Sequence, residues 1–325
     1  VKKEIIKAKN YNDTNSKLAK MKRTSGQPQT FNSISELHKA LGLPKPLHPL
    51  VSLVDYSMIT KSPEELPAAL VLNFYKISYK QHLKGRIRYG QGYYDFDEGG
   101  MSFISPMQVI AGTEEENDYG GYTLLIHPDF IRNTVVGSHM QEYGFFDYSS
   151  NEALYPSDKE KKILLSVFEN IKAELESSID VFSQDVIISH IEVLLNYSKR
   201  FYTRQFITRK TSNSELLTKM ETLLSGYFDN EEATVNGLPS VRYFSDQLNV
   251  SARYLSDMLK SLTGQNTQQH IHSRLIDKAK TLLSTTNLSI GEIAYKLGFE
   301  HSQSFNKLFR KKTNSSPLEF RQSFN

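Results

Sequence analysis

Six side chains recur along this chain at a nearly fixed offset, and that recurrence limits what residues 240–321 can fold into. Phe244, Leu248 and Val250 return 49 residues later as Ile293, Leu297 and Phe299. Leu255, Leu259 and Thr263 return 50 residues later as Phe305, Phe309 and Thr313, so the second copy holds one extra residue in its turn. Each copy has the spacing of two short amphipathic helices joined by a tight turn, a helix-turn-helix. In the first, a helix over about 241–248 turns at Asn249–Ser251, and Ser251 suits the N-cap of the next helix. That next helix buries Leu255, Met258, Leu259 and Leu262. In the second copy Ser289 with Glu292 spells a capping box, Gly298 permits the turn, and the following helix buries Phe305, Leu308 and Phe309. Between the copies, Thr267 to about Ser284 reads as one helix with Ile271, Leu275, Ile276, Ala279, Leu282 and Leu283 inward. At ~1.5 Å per residue it spans ~27 Å, enough for a rigid connector to hold two helices near the ~34 Å spacing of successive major grooves.

The exposed faces have chemistry suited to DNA. The second helix of the first copy presents Arg253, Ser256, Asp257 and Lys260; its counterpart presents His301, Ser302, Gln303, Asn306, Lys307 and Arg310, with Lys311 and Lys312 following. Gln or Asn can pair with adenine, Arg or Lys with guanine, and basic groups with phosphates. The run Arg310–Lys312 alone would read as a solvated charged face, and only the repeated frame turns it into a DNA-binding feature. The net charge of +3 says little by itself. Its distribution says more: 215–252 holds 2 Lys/Arg against 6 Asp/Glu, whereas 253–325 holds 11 against 5.

Elsewhere the pattern changes. Residues 1–30, rich in Lys, Asn, Ser and Thr, read as a flexible arm. Ile34, Leu37 and Leu41 predict a short helix stopped by Gly42, Pro44 and Pro46. From about 50 to 127 the period is two: Leu70–Tyr79, Gly85–Phe96, Met101–Ile110 and Tyr122–Ile126 predict strands separated by glycine-rich turns and by the acidic tip Glu114–Glu116. Short strands at this density suggest a small barrel or sandwich. The internal run Gly137–Met140 matches a tag-cleavage scar by chance. Ser157 and Glu160 then open a helix with Ile163, Leu164, Val167, Ile171 and Leu175 on one stripe. A second helix, with Val186, Ile187, Ile191, Leu194, Leu195 and Phe201, closes an antiparallel hairpin whose apolar surface suits self-association, the alternative being packing within one subunit. The predicted organisation is α+β and multidomain: arm 1–30, β-barrel 31–150, helical hairpin 151–205, linker 206–214, and an all-α double helix-turn-helix domain 215–325. The absence of cysteine excludes disulfides and a thiol nucleophile, and no apolar run approaches the ~18 residues of a membrane span. Val1–Lys9 lacks the apolar core of a signal peptide.

The stretches Ile-Gly-Glu-Ile-Ala, Leu-Gly-Phe, Phe-Asn-Lys-Leu-Phe-Arg and Ser-Pro-Leu-Glu-Phe-Arg within Ser289–Arg321 resemble the DNA-binding signature of AraC/XylS-type transcription regulators. The resemblance, covering roughly 215–325, implies that Pro317 opens the final helix and that the helices beginning near Ser251 and Ser302 read bases. Base contacts would fall on Arg253, Ser256 and Asp257, and on Ser302, Gln303, Asn306 and Lys307. Asp257 departs from the basic or amide residues often found there: an acid faces phosphates badly, though it can accept from cytosine. The N-terminal part resembles the family's cupin-like sensor followed by a two-helix dimerisation element, with Tyr122–Phe130 matching a strand end there. The partners so implied are double-stranded DNA, a small-molecule effector, a second copy in a homodimer and RNA polymerase, in a cytoplasmic, nucleoid-associated protein without membrane contact. Strand alternation offers Asn73, Tyr75, Ile77 and Tyr79, with Ile87 and Tyr89 on the next strand, as a ligand-facing wall, ordinary barrel core being the alternative; Asn73, Tyr75 and Tyr89 are the effector candidates. A metal-dependent cupin enzyme would need converging His and carboxylate ligands. His82 and His127 form no His-x-His pair, and His270 and His272 fall on different faces of a predicted helix. The Gly residues at 90, 92, 99 and 100 do not open a phosphate loop. No cofactor, metal or catalysis is therefore expected; a constitutive DNA binder with a structural or protein-binding barrel remains the other alternative.

Overall fold

The computed structural model describes residues 28–61, 65, 67, 69–81, 86–89, 92–95, 99–111, 120–149, 152–178 and 180–323. The arm 1–27, the acidic tip Glu114–Glu116 and His82 lie outside them. The chain divides into two compact units, 1–201 and 202–325.

Unit one begins with β1 (Gln29–Phe31) and α1 (Ile34–Leu41). Ser33 caps α1 by accepting from the Glu36 amide, and Gly42 ends it at φ 70°, as the sequence predicts. β2 (Val51–Asp55) comes next, then a 3₁₀ turn at Tyr56–Met58. The remaining strands are β3 (Ala69–Leu72), β4 (Tyr75–Lys80), β5 (Arg86–Tyr89), β6 (Gly92–Asp95), β7 (Gly100–Ile104), β8 (Val109–Ala111) and β9 (Gly121–Ile126). Three of the predicted strands are each broken into two, Gly85–Phe96 among them as β5 and β6. Leu70–Tyr79 divides at Asn73–Phe74, and Met101–Ile110 divides before Met107, whose φ of 67° lets its amide donate to the Leu72 carbonyl at 2.7 Å. Among the described residues three sheets result, in the orders β1-β3-β8, β2-β9-β4-β7 and β5-β6, and only β1 and β3 pair in parallel. The structure thus has a sheet-containing N-terminal region.

The four-stranded sheet is in register across its width. Leu53, Leu124, Ile77 and Phe103 form one row, and Asp55, Tyr122, Tyr79 and Met101 another on the same face. Alternation puts Val54, Thr123, Ser78 and Ser102 on the opposite face. The segment after β9 covers the first face. Beyond α2 (Pro128–Ile131) and α3 (Val135–His139), a 3₁₀ turn at Gly144–Asp147 lays Phe145 4.4 Å from Phe103 and Phe146 5.2 Å from Tyr75, ring centre to ring centre. α4 (Asp158–Glu176) adds Phe168 against Tyr79 and Tyr122. Each fully buried side chain of this size contributes about 1.5–3 kcal/mol. The Ser157/Glu160 capping box is present, and Leu164, Val167, Phe168, Ile171 and Leu175 form the buried stripe. The Gly137–Met140 run is built into the fold, since a Cβ at Gly137 would sit 1.9 Å from the Ile131 carbonyl oxygen.

α5 (Ser183–Thr208) starts where Asp180 Oδ1 accepts from the Phe182 and Ser183 amides. The predicted linker 206–214 is helical: α6 (Lys210–Asp229) begins two residues after α5 ends. No Gly or Pro interrupts this stretch, so its Thr and Ser residues stay within helices. Unit two continues with α7 (Glu232–Asn236), α8 (Val241–Leu248), α9 (Ala252–Thr263), α10 (Thr267–Thr285), α11 (Ile290–Lys296), α12 (Ser302–Thr313) and α13 (Pro317–Gln322). Among the described residues no helix is long and apolar enough to cross a membrane.

Candidate nucleic-acid interface

The duplication seen in the sequence extends to backbone angles and hydrogen bonds. α8 ends at Asn249 (φ 55°) and α11 is followed by Gly298 (φ 88°), again 49 apart. α9 ends at Gly264 (φ 77°) and α12 at Asn314 (φ 62°), again 50 apart. All four positions need the left-handed region that Gly and Asn tolerate best. Thr263 and Thr313 each donate to the carbonyl four residues back, at 2.8 and 2.9 Å. The inserted residue falls between Gly298 and the cap of α12. There His301 replaces the capping Ser251 and makes no side-chain cap bond.

Each pair of helices packs through the residues that recur. Phe244, Leu248, Tyr254, Leu255, Met258 and Leu259 are buried in the first copy; Ile293, Leu297, Phe299, Phe305 and Phe309 in the second. Leu262 and Leu308, predicted to be inside, are half-buried. Tyr254 is fully buried with its ring against Phe206, 5.2 Å away, and neither was foreseen as core. α10 opens at an Asn266/Gln269 capping box and buries Ile271, Leu275, Ile276, Ala279 and Leu283, so it connects the copies as a 19-residue helix, with Leu282, predicted to be inside, half-buried. α13 starts at Pro317 behind a Ser316/Glu319 box and packs Phe320 on Phe309.

Asp229 ties α6 to α10 by accepting from Lys278 Nζ at 2.6 Å with Arg274 Nη2 at 3.7 Å. The Lys278 hydrogen bond and the two cations hold its carboxyl below the usual range. A depressed carboxyl stabilises above its unfolded pKa and loses that contribution as pH falls through the lower folded value. Replacing Asp229 with Asn should therefore lower the unfolding free energy at neutral pH, by no more than about 1 kcal/mol for so exposed a pair. The parent and variant curves should converge in acid; a gap that persists there would contradict the ion-pair account.

The surfaces left to solvent differ sharply between the copies. On α12, Ser302, Gln303, Asn306, Lys307, Arg310 and Lys311 are all exposed, and among the described residues no carboxylate ion-pairs with Lys307, Arg310 or Lys311. On α9, Arg253 and Lys260 are exposed but Ser256 and Asp257 are half-buried. Asp257 Oδ2 accepts from Arg253 Nε at 3.1 Å, and Ser256 Oγ shares a 3.0 Å hydrogen bond with Thr267 Oγ1 at the start of α10. Ser256 is thus committed to the helix junction.

The other candidates are dispersed. Asn73 lies between β3 and β4, with its amide on the Phe31 carbonyl and its side chain on Asn32. Tyr75 faces Phe146. Tyr89 ends β5, and its side chain lies outside the described residues. His127 caps α2 by accepting from the Asp129 amide. His270 bonds Thr263 Oγ1 at 2.8 Å and His272 bonds Gln268 at 2.9 Å.

Residues 244–323 match the model of a helix-turn-helix domain. Over 78 residues, 24% of this chain, the sequence is 38% identical to the HTH-type transcriptional activator RhaS of Escherichia coli O1:K1, of which the match covers 28%. The chain therefore spans under a third of the length of the curated relatives it matches. Among solved structures it is similar to the C-terminal domain of the two-component response regulator YesN from Fusobacterium nucleatum, with 31% identity, 31% of this chain and 96% of that one covered, and a TM-score of 0.28. It is also similar to a transcriptional regulator with an AraC-type DNA-binding domain from Chromobacterium violaceum, with 23% identity, coverage of 34% and 93%, and a TM-score of 0.29. Residues 244–323 thus form a helix-turn-helix domain similar to that of AraC/XylS-type transcription regulators.

Proposed function

We propose that this chain is a sequence-specific DNA-binding transcription regulator. In this reading α12 and α9 enter neighbouring major grooves, and an effector or partner acting on unit one changes which sites two subunits can engage. The observation that carries the DNA-binding part is the exposed face of α12, with two amides and three basic groups at helical spacing. Gln303 and Asn306 suit base edges, whereas Lys307, Arg310 and Lys311 suit phosphates. Selection of bound sites from random DNA, with and without cell metabolite extract, tests both halves. A recurrent motif whose occupancy responds to the extract is expected. No enrichment over non-specific binding would end the regulator reading; enrichment indifferent to every extract and partner would leave a constitutive binder.

Self-association through α4 and α5 is supported by a stripe of apolar side chains left on the solvent side of α5. Val186 is 37% and Val193 40% exposed, seven residues apart on one helix face, and Phe182 in the turn just before the helix is 66% exposed. Monomeric proteins leave few such stripes uncovered. Val186→Glu with Val193→Glu should convert a sedimenting dimer to a monomer and weaken binding to paired half-sites while sparing a single one. A parent chain that sediments as a monomer at high concentration removes this part of the proposal.

A further inference from the structure

The face of the four-stranded sheet turned away from α4 is not uniformly apolar. Toward one end, Val54 and Leu125 join the cluster of Phe31, Ile34, Leu37, Leu72 and Phe74. The neighbouring positions form a hydroxyl row across three adjacent strands: Thr123 on β9, Ser78 on β4 and Ser102 on β7. Ser78 and Thr123 are 1% and 3% exposed, and their hydroxyls share a 3.0 Å hydrogen bond. On the same face of β4, two residues to either side of Ser78, stand Lys76 and Lys80. Their Cα atoms are about 13 Å apart at ~3.3 Å per residue, with Ser78 midway. Both are half-buried, and among the described residues no carboxylate ion-pairs with either. The Tyr56 hydroxyl completes the group. It is buried beside Ser78 and Thr123, and it forms no hydrogen bond of acceptable geometry with either.

We propose that Lys76 and Lys80, with the hydroxyls of Tyr56, Ser78, Ser102 and Thr123, form the binding site for the carboxylate or phosphate group of a small organic anion. This rests on the reading of unit one as the sensory part and names the ligand chemistry of that part. Among the described residues no carboxylate ion-pairs with either ammonium group, so both can donate to an anion. A bound oxyanion would also accept from the hydroxyl row, with charge-assisted bonds about twice as strong as neutral ones. The field of the lysines is already felt at Tyr56. Burial opposes ionisation of its phenol, yet the positive charges of Lys76 and Lys80 help hold its pKa below the usual tyrosine value. Asn73 and Tyr75, suggested by strand alternation alone, are engaged elsewhere.

The test is thermal melting and calorimetry of the full chain with succinate, citrate, inorganic phosphate and glucose 6-phosphate, against neutral glucose. At least one anion should raise the melting midpoint by a few degrees, as a ligand selective for the folded state must, and glucose should not. Lys76→Met or Lys80→Met should each weaken that anion about tenfold or more, the loss of one charge-assisted hydrogen bond. Lys76→Arg and Lys80→Arg, which keep the charge, should retain most of it and guard against misfolding of the Met variants. Lys172→Met is the control, because Lys172 borders a separate cavity of about 260 Å³ lined by Leu47, Met58 and Tyr122. An anion response that survives loss of both Lys76 and Lys80, or that falls with Lys172 instead, overturns the site. Binding of glucose or another neutral molecule, with no anion bound, overturns the ligand class and leaves the sensory reading standing. If no probe and no metabolite extract changes melting or DNA occupancy, the sensory reading fails and the site with it.

Discussion

Gly298→Ala should abolish specific DNA binding near the growth temperature and lower the melting midpoint of unit two far more than Gly264→Ala. Both glycines sit in the left-handed region, at φ 88° and 77°, so both incur the conformational penalty of a side chain there, about 1 kcal/mol. They differ in what a Cβ would meet. At Gly264 nothing lies within 4 Å. At Gly298 the new atom would stand 2.6 Å from the Gly237 carbonyl carbon, 2.8 Å from its oxygen and 2.9 Å from the Leu238 amide nitrogen. These are backbone atoms, which cannot rotate away, so the turn of the second helix-turn-helix must shift against the loop before α8. Adding an overpacking cost of about 1–3 kcal/mol brings the total to about 2–4 kcal/mol, a large fraction of a typical domain's 5–15 kcal/mol. Moreover, α12 comes directly after this turn, so the shift displaces the exposed face of Gln303 and Asn306. Comparable melting losses for the two variants would show that backbone angle, and not the approach of the 237–238 backbone, decides the requirement for glycine.

That contrast marks how far the sequence could be read. The pairing of Gly298 with Asn249 follows from the 49-residue offset, and the capping boxes at Ser157, Ser289 and Ser316 follow from a hydroxyl three residues before Glu. These are local rules, and local structure obeys them. The approach of Gly237 to Gly298 joins residues 61 apart, and no periodicity announces it. Likewise Tyr254 and Phe206 meet across 48 residues. The sheet was legible as strands but not as faces. Alternation separates Tyr75, Ile77 and Tyr79 from Lys76, Ser78 and Lys80; it does not say which set the helices cover. The aromatic set has the composition of a pocket wall but is covered by Phe146 and Phe168, because large rings bury the most area against a helical layer. β1 and β2 are three and five residues long, too short for their own periodicity to stand out.

The two reading helices should respond unequally to substitution, with Gln303→Ala and Lys307→Ala costly and Asp257→Asn favourable. Gln303 offers a paired donor and acceptor, so its loss should cost about 1–3 kcal/mol at one base position and relax preference there. Lys307→Ala should weaken binding evenly across sequences and reduce the salt slope by about one, since one phosphate contact releases its counterion no longer. In α9 the sign reverses. Asp257 sets a negative charge on the face that would meet phosphates and holds the Arg253 guanidinium at 3.1 Å. Asp257→Asn removes the repulsion and frees Arg253 as a donor, so affinity should rise and the salt slope steepen. Preference for cytosine at the position it faces should fall if Asp257 accepts from that base. Ser256→Ala should act instead on stability, because its hydroxyl is spent on Thr267. In the proposed reading, affinity rests mainly on α12, while α9 sets register. Binding left unchanged by both α12 variants, or weakened by Asp257→Asn, would invert that assignment and make the first copy the principal reader.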